Sequence, residues 1–376
     1  MKKTFVAAAI LSSFAGAVFA APSVTLYGLI DTGLSYVHAN PDAAGVASTD
    51  AFTLENSQEF GSRWGLRGLE KIGNSTVSFI LESGFQTDDG LSDVKQGGRL
   101  FGREASVTAS GAYGAVSFGR LPIFGSVLSV NGLFRAFEPT FSNYTVNMSS
   151  SYATASMWTR VDNAVAYRTP TFSGLTGYAM YSFKNDSTAS GAENKGSSDR
   201  YGSLAVRYQN GVFEGVVVGD VTLYGNEAYG DADDGWTVTA GGHYAFSNGF
   251  KLLAFAQYFD GMFLNVNARG GVVKDGIKAF TANAGYGQVD GWGAGIGFNF
   301  PVLGGILKGA VNYRDMDNAA GYDFSRVGGT VAYDYPLSKR TSLYGMAGYA
   351  QEKVKKGGSS AAPSGCQVSA GILHTF

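Results

Sequence analysis

Residues that carry catalysis or bind metals are scarce in this chain of 376 residues. The chain has three histidines, His38, His243 and His374, and one cysteine, Cys366. The histidines fall on segments far apart in the sequence, and they show neither a metal-ligand spacing nor a Ser/His or Asp/His constellation. A single cysteine also excludes an internal disulfide and a cysteine-cluster metal site. We therefore predict no catalytic residue, no metal and no cofactor.

The charged residues show a different pattern, because they alternate with apolar residues. In the segment 62–70, Arg63 and Arg67 alternate with Trp64 and Leu66. Successive side chains of a β-strand point to opposite faces, so the arginines share a polar face. The same alternation puts further charged residues on polar faces: Asp31, Glu82, Arg168, Arg207, Glu214, Asp220, Lys308, Arg314, Arg326 and Asp334. Around a narrow water-filled space, such charges bias the local concentration of ions.

The elements that must position these charges are β-strands. In one typical segment, Leu307 and Tyr313 share one face, and Lys308 and Arg314 share the other. A soluble sandwich would show the same alternation with its apolar face inside. Strands of about ten residues, apolar faces that end in Tyr or Phe, and opposite faces too polar for a packed core favour a membrane barrel. We therefore predict an all-β, antiparallel transmembrane barrel.

The connections between the strands supply the strand number. Seven short turns, rich in Gly, Asn and Pro, alternate with longer polar connections, as in outer-membrane barrels. Seven short turns separate eight strand pairs, which predicts sixteen strands, although eighteen are possible if 276–289 also contains strand. The predicted strands span roughly 23–38, 59–70, 75–87, 102–110, 114–120, 162–169, 174–184, 199–208, 211–221, 236–246, 250–260, 290–300, 305–314, 323–335, 341–351 and 366–376.

The composition agrees with such a barrel and excludes other classes. Charged residues make up 15% of the chain, against about 25% in a typical soluble domain, and aromatic residues make up 14%. A hydrophobic content of 45% argues against disorder. The formal net charge of −2 leaves no basic surface for nucleic acid, which we exclude as a partner.

The first twenty residues have the pattern of a secretory signal peptide. Lys2 and Lys3 precede the apolar or small segment 4–18, and Phe19 and Ala20 then precede Ala21, which fits a cleavage site at small residues. The competing interpretation, a membrane anchor, requires a longer apolar stretch. We predict cleavage after Ala20, which leaves residues 21–376 as the barrel of an exported protein.

Several segments together resemble one family. The segments 23–31 (SVTLYGLID), 62–70 (SRWGLRGLE), 116–120 (VSFGR) and 371–376 (GILHTF) resemble, in the same order, those of the trimeric general-diffusion porins of Gram-negative bacteria, and most closely the β-proteobacterial type. The resemblance implies a homotrimer in the bacterial outer membrane, among its lipids and lipopolysaccharide. It also implies passive diffusion of small hydrophilic solutes and ions, with a long third loop, about 121–161, folded into the lumen.

The resemblance further implies a cluster of arginines on the wall at the pore constriction. Carried over position by position, that cluster contains Arg63, Arg103 and Arg168, with Arg67 nearby. Arg103 rests on the resemblance alone. Arg120 shares the parity of Phe118, so its direction depends on whether Gly119 marks a β-bulge.

The third loop departs from the family pattern in its charge. Glu138 is the only acidic residue between 121 and 161, which also contain Arg135 and Arg160. We therefore predict a positive constriction and a weak anion preference. The alternative is a substrate-specific channel whose loop presents aromatic residues to sugars: Phe124, Phe134, Phe137, Phe141 and Tyr144. A barrel enzyme would need the histidine constellation that is not visible here.

The last residue, Phe376, ends a strand of clear alternation. Val368, Ile372 and Phe376 share one face, which predicts a lipid-facing strand that closes the barrel. The resemblance also implies that Phe376 is part of the signal that the outer-membrane assembly machinery recognises.

Overall fold

The computed structural model describes residues 23–92, 97–126, 132–137, 153–155, 159–264 and 271–376. The predicted signal peptide, 1–20, lies outside the described residues, as does Glu138.

Strands dominate the fold. They are β1 (Ser23–Asn40), β2 (Thr49–Asn56), β3 (Arg63–Ile72), β4 (Ser75–Gly84), β5 (Glu104–Gly111), β6 (Gly114–Pro122), β7 (Arg160–Arg168), β8 (Leu175–Ser182), β9 (Arg200–Gln209), β10 (Phe213–Leu223), β11 (Gly235–Ala245), β12 (Lys251–Phe263), β13 (Gln288–Val302), β14 (Gly305–Asn318), β15 (Asp323–Pro336), β16 (Thr341–Lys356), β17 (Ser359–Ala361) and β18 (Ser364–Thr375). Two short helices, α1 (Asn226–Tyr229) and α2 (Lys274–Phe280), lie in connections. Among the described residues, no helix is long and apolar enough to cross a membrane.

The strands form one closed antiparallel barrel whose wall contains sixteen membrane-crossing segments. β1 pairs with β18, as in Leu29 with Thr375, and this pairing closes the sheet. β2 pairs with the upper half of β1 and β3 with its lower half, so these two strands are parts of one crossing. β17 is a three-residue strand on the end of β16. The predicted sixteen-stranded barrel is therefore confirmed. The eighteen-strand alternative is wrong, because the region 276–289 begins in α2 and not in a strand.

The outer face of the barrel is apolar, as the alternation predicts. Ile296 lies beside Val311 and Val206 beside Val217, and all four side chains are exposed. Apolar side chains exposed in register on one face of a closed sheet match the hydrocarbon of a bilayer. The opposite parity of each strand points to the interior, where the charged residues lie.

The described part of the third loop lies inside the barrel, as predicted. A 3₁₀ turn, Leu133–Phe137, buries Phe134 and Phe137 against the inner faces of β7 to β12. Gly241 makes this contact possible, because a Cβ atom at that position would lie 2.7 Å from the Phe134 ring. The lumen is therefore narrowed on this side by packed loop, not by side chains of the wall alone.

A second connection also folds onto the inner wall. Between β12 and β13, Val273 and Ile277 pack against Phe324, Val354 and their neighbours in a buried apolar cluster. The sequence predicts a long connection here, with a possible further strand over 276–289, and shows no sign of this packing. Its packing covers the inner faces of β14 to β16 towards the long-loop end.

Candidate functional site

The segment 57–62, between β2 and β3, turns inward and is fixed there by Asp31. One carboxylate oxygen of Asp31, Oδ2, accepts hydrogen bonds from the backbone N–H groups of Glu59 and Phe60, both at 2.6 Å. The other oxygen accepts the Tyr344 hydroxyl at 2.6 Å. The backbone N–H of Ser57 also donates to the Asp31 carbonyl. Charge-assisted bonds of this kind are about twice as strong as neutral ones.

The anchoring role of Asp31 corrects the prediction that its charge lines the lumen. Asp31 points inward, as the alternation predicts, but its side chain is 0% exposed. It is therefore an anchor for the segment 57–62 and not a charge that lines the water. The predicted strand 59–70 is also wrong at its start, since β3 begins at Arg63. The inward turn depends on hydrogen bonds to a distant strand, which no local sequence pattern reveals.

Glu82 on β4 brings two of the predicted arginines together. Arg103 Nε lies 2.8 Å from Glu82 Oε1, and Arg63 Nε lies 3.7 Å from Oε2. The Tyr27 hydroxyl also donates to Oε2, at 3.0 Å. All three charged groups are largely buried in the wall of the barrel. Glu104, the cross-strand partner of Glu82, is also buried here, so two guanidinium groups face two carboxylates. Arg160, at the start of β7, interacts electrostatically with Arg103, Glu82 and Glu104 and gives this patch its net positive charge.

A second charged group lies on the inward segment and on β14 and β15. Lys308 forms ion pairs with Asp334 and, at 3.4 Å, with Glu59 of the inward segment. Sequence reasoning placed Lys308 in the lumen but gave no sign of Glu59. Only the inward turn of 57–62 carries Glu59 to this partner.

The third loop connects the two groups through Arg135. Its guanidinium lies 4.4 Å from the centre of the Phe60 ring, which is a cation–π distance. Arg135 also interacts electrostatically with both Arg63 and Lys308. The loop, the inward segment and the wall therefore bring charge to one constricted zone.

Two of the other predicted wall arginines lie nearer the short-turn end. Arg67 is on the inner face of β3, two inner-facing positions from Arg63, and its guanidinium lies 5.1 Å from the centre of the Tyr27 ring. Arg168 pairs with Ala115 at the beginning of β6 and is exposed. It does not join Arg63 and Arg103, because β7 carries it along the barrel axis away from the constriction.

The direction of Arg120, left open by the sequence, is settled by a β-bulge. Gly119 has a φ of +124°, and the register between β6 and β7 shifts between Gly119 and Leu121. The shift lets Arg120 form an ion pair with Asp162 at 2.5 Å, and its Nε donates to the Gly102 carbonyl. Arg120 thus ties the wall to the connection between β4 and β5, which contains Gly102.

Asp162, the partner of Arg120, also pairs with a charged residue outside the strands. Arg99 binds Asp162 at 2.7 Å and also Asp186, which accepts hydrogen bonds from Thr188. Burial acts to raise the pKa of Asp186, but the hydrogen bonds from Thr188 and Arg99 hold it below its ordinary value. The carboxylate therefore stays ionised and holds the connection between β8 and β9 to the connection between β4 and β5.

Arg314 and Arg326 face the interior, but their predicted role as charges lining the water is wrong. Arg314 Nη2 lies 2.8 Å from Glu352 Oε1, and Arg326 Nη1 lies 3.3 Å from Glu352 Oε2. The Tyr286 hydroxyl donates to the same carboxylate at 2.7 Å. The three charged side chains are at most 1% exposed, because the connection between β12 and β13 covers them.

Among the residues that the structure describes, no group of three or more His, Cys, Asp or Glu side chains is placed to hold a metal ion.

A closed sixteen-stranded barrel with an apolar exterior, a charged interior and inward-folded loops defines a channel-forming protein of the outer membrane. A family model described as Gram-negative porin matches residues 7–355. The chain therefore belongs to the Gram-negative porins.

Individual relatives agree with this assignment. An outer membrane porin protein of Bordetella pertussis is 34% identical over 93% of this chain and 94% of its own length. Outer membrane porin protein 32 of Delftia acidovorans is 29% identical, with both chains covered in full. Among solved structures, the anion-selective porin from Comamonas acidovorans superposes with a TM-score of 0.70, covering 95% of this chain and 100% of that one at 28% identity. The protein is a porin of the outer membrane, and its barrel forms a channel.

Proposed function

We propose that the channel passes small hydrophilic solutes and ions by passive diffusion, with a weak preference for anions. The observation that carries this proposal is the position of Arg135, which brings a cation of the third loop to the same zone as Arg63 and Arg103. The acids there are Glu59, Glu82, Glu104 and Asp334. They face five cations, Arg63, Arg103, Arg135, Arg160 and Lys308, so they weaken the positive field without reversing it. The likeness to the anion-selective porin from Comamonas acidovorans supports the same direction.

The reversal potential of the purified protein in a planar bilayer under a KCl gradient tests this proposal. We expect stepwise conductance and a potential that favours Cl⁻. The double variant Arg63→Ser/Arg103→Ser should shift the permeability ratio towards K⁺, while Arg340→Ser, in an exposed turn, should leave it unchanged. A wild-type channel that favours K⁺ would contradict the anion preference but not the proposal that the protein forms a diffusion channel.

General diffusion is favoured over a substrate-specific aromatic path. Phe124, Phe134 and Phe137 are 8%, 1% and 2% exposed, because they pack the third loop onto the wall. Buried rings offer no surface to a passing sugar. Phe141 and Tyr144 lie outside the described residues. Catalysis forms no part of the proposed function.

The oligomer that we propose is a homotrimer, surrounded by outer-membrane lipids and lipopolysaccharide. Membership of the porin family supports this assembly. An oligomer in mild detergent that falls to the monomer mass on boiling is the expected behaviour, and a monomer before heating would contradict it.

Phe376 is proposed as part of the signal for the assembly machinery. Its backbone exchanges two hydrogen bonds of 3.1 Å with Gly28, and its ring lies where a Cβ atom of Gly28 would be, 2.2 Å away. Deleting Phe376 should leave protein unassembled in the periplasm. Gly28→Val keeps Phe376 but displaces its ring. Normal assembly of this variant would show that the signal depends on Phe376 itself and not on its packing against Gly28.

A further inference from the structure

A polar cavity of about 500 Å³ lies at the short-turn end of the barrel. The ends of β4 to β9 form its walls, and its lining includes Arg168, Arg207, Ser110, Thr176 and Tyr178. Short turns of outer-membrane barrels face the periplasm, so this cavity belongs to the periplasmic mouth of the channel.

The cavity opens into the pathway for solutes. Tyr178 contacts Phe124 of the third loop edge-on, with the ring centres 5.4 Å apart, so its side chain points into the barrel. Arg168 is the direct cross-strand partner of Tyr178, and Arg207 is the partner of Thr176. Cross-strand partners share a face, so both guanidinium groups project inward beneath the constriction.

The charge of the cavity is close to one positive unit. Arg207 is held by Glu214 through contacts of 2.6 Å and 2.8 Å, which balance its charge and fix its orientation. Arg168 has no carboxylate within 4 Å in the described part of the chain. No residue that lines the cavity is acidic.

The rest of the lining is a set of uncharged hydrogen-bonding groups: Asn74, Thr76, Ser110, Thr171, Thr176 and Gln209. Hydroxyls and amides both donate and accept, so they match a ligand that carries several hydroxyl groups. An arginine provides a planar pair of donors for a carboxylate. A volume of this size suits a small organic molecule together with some of its water.

We propose that this cavity is a binding site for hydroxylated organic monoanions, such as sugar acids, on the periplasmic side of the constriction. Arg168 binds the carboxylate and the surrounding hydroxyl groups bind the polyol chain. A monoanion balances the single positive charge, whereas a phosphate dianion would leave one negative charge without a partner in the cavity. An ion that has passed the constriction pauses here before it leaves the channel.

The test is the effect of gluconate on the chloride current through single channels of the whole protein. Gluconate should produce concentration-dependent interruptions of the wild-type current. Glucose, which lacks the charge, and acetate, which lacks the hydroxyl groups, should produce far fewer. Arg168→Ser should weaken the block by gluconate about tenfold, as expected for a lost charge-assisted contact. Ser110→Ala should weaken it less and leave the acetate response unchanged.

Two controls distinguish this site from a general effect of charge and from the constriction. Lys339→Ser removes one cation from a different short turn and should leave the block intact. Arg63→Ser should change the permeability ratio but not the Arg168-dependent block. Equal block in wild type and Arg168→Ser would overturn the proposal, and so would equal weakening by Lys339→Ser. A conducting, anion-selective channel without gluconate block would overturn this site alone and leave the proposed selectivity standing.

Discussion

At the scale of single residues, Glu82 determines how much of the positive charge of Arg63 and Arg103 is left uncompensated. Its carboxylate is shared between Arg63 and Arg103 and also accepts the Tyr27 hydroxyl. Removing its charge while keeping its shape would release the field of both arginines. An arginine at this point is therefore a source of selectivity only to the extent that Glu82 leaves its charge uncompensated.

We predict that Glu82→Gln increases the preference for Cl⁻ over K⁺ by roughly tenfold. A unit charge about 6 Å from a passing ion contributes about 0.7 kcal/mol at the dielectric constant of water, with opposite sign for Cl⁻ and K⁺, so the two ions shift apart by about 1.4 kcal/mol. The reversal potential under a KCl gradient measures the change. Glu70→Gln, which removes the same charge at the exposed end of β3, is the matched control. An unchanged ratio in Glu82→Gln would show that the paired arginines do not act on the permeating ion.

At the scale of elements, the constriction depends on Asp31 holding the segment 57–62 inward. A carboxylate offers acceptors on both oxygens, one to Tyr344 and one to the backbone of Glu59 and Phe60. In Asp31→Asn, the amide nitrogen must face one of these donors. The variant therefore loses at least one charge-assisted bond, each worth about 1.5–3 kcal/mol.

We expect Asp31→Asn to enlarge the pore, because the released segment withdraws Glu59 and Phe60 from the lumen. Single-channel conductance should rise, and larger neutral polymers should enter. Ser35→Ala, on the same strand and the same inner face, removes a hydroxyl that bonds to Ser369 and should leave both quantities unchanged. Wild-type conductance in folded Asp31→Asn would show that other contacts suffice to hold the segment.

A second element-scale prediction concerns the charges buried beneath the connection between β12 and β13. Glu352→Ala leaves Arg314 and Arg326 buried without their carboxylate, and breaking a buried ion pair in this way costs about 3–5 kcal/mol. Denaturant unfolding of the folded porin should show the loss. The triple variant Arg314→Met/Arg326→Met/Glu352→Leu should recover much of the stability, because apolar replacements remove the buried charges together. A triple variant as unstable as Glu352→Ala would contradict an electrostatic cause.

The sequence predicts the regular elements well and the inward-folded ones poorly. The predicted strands 174–184 and 323–335 match β8 and β15 closely, because alternation is a local signal and the burial of one face of each strand maintains it. The inward turn of 57–62 depends on hydrogen bonds to Asp31 and Tyr344, which are distant in sequence. Parity also predicts which face Arg168 occupies but carries no information on its height in the barrel. Family resemblance placed it at the constriction, and the register of β7 places it near the periplasmic mouth.

At the scale of the whole molecule, the net charge is negative, whereas the selectivity that we propose is for anions. The chain is formally −2, with 28 basic and 30 acidic residues, and yet Arg63, Arg103 and Arg160 outnumber Glu82 and Glu104 at one point of its wall. Several acids, such as Asp88, Asp89 and Asp233, lie in connections at the ends of the barrel, where water and salt screen them. Ions in the pore respond to the charges next to them, so the position of charged residues affects selectivity more than the net charge of the chain does.

This reasoning predicts that the anion preference weakens as salt increases. The Debye length is about 10 Å at 0.1 M salt and about 3 Å at 1 M. The cations at the constriction are partly paired with Glu82 and Glu59, so much of their influence on a hydrated ion acts across several ångströms of water. Reversal potentials measured at one fixed KCl ratio should therefore fall as both concentrations are raised together. A ratio of permeabilities independent of salt would show that the ion touches its ligands directly. Selectivity would then come from binding at Arg63 and Arg103 rather than from their field.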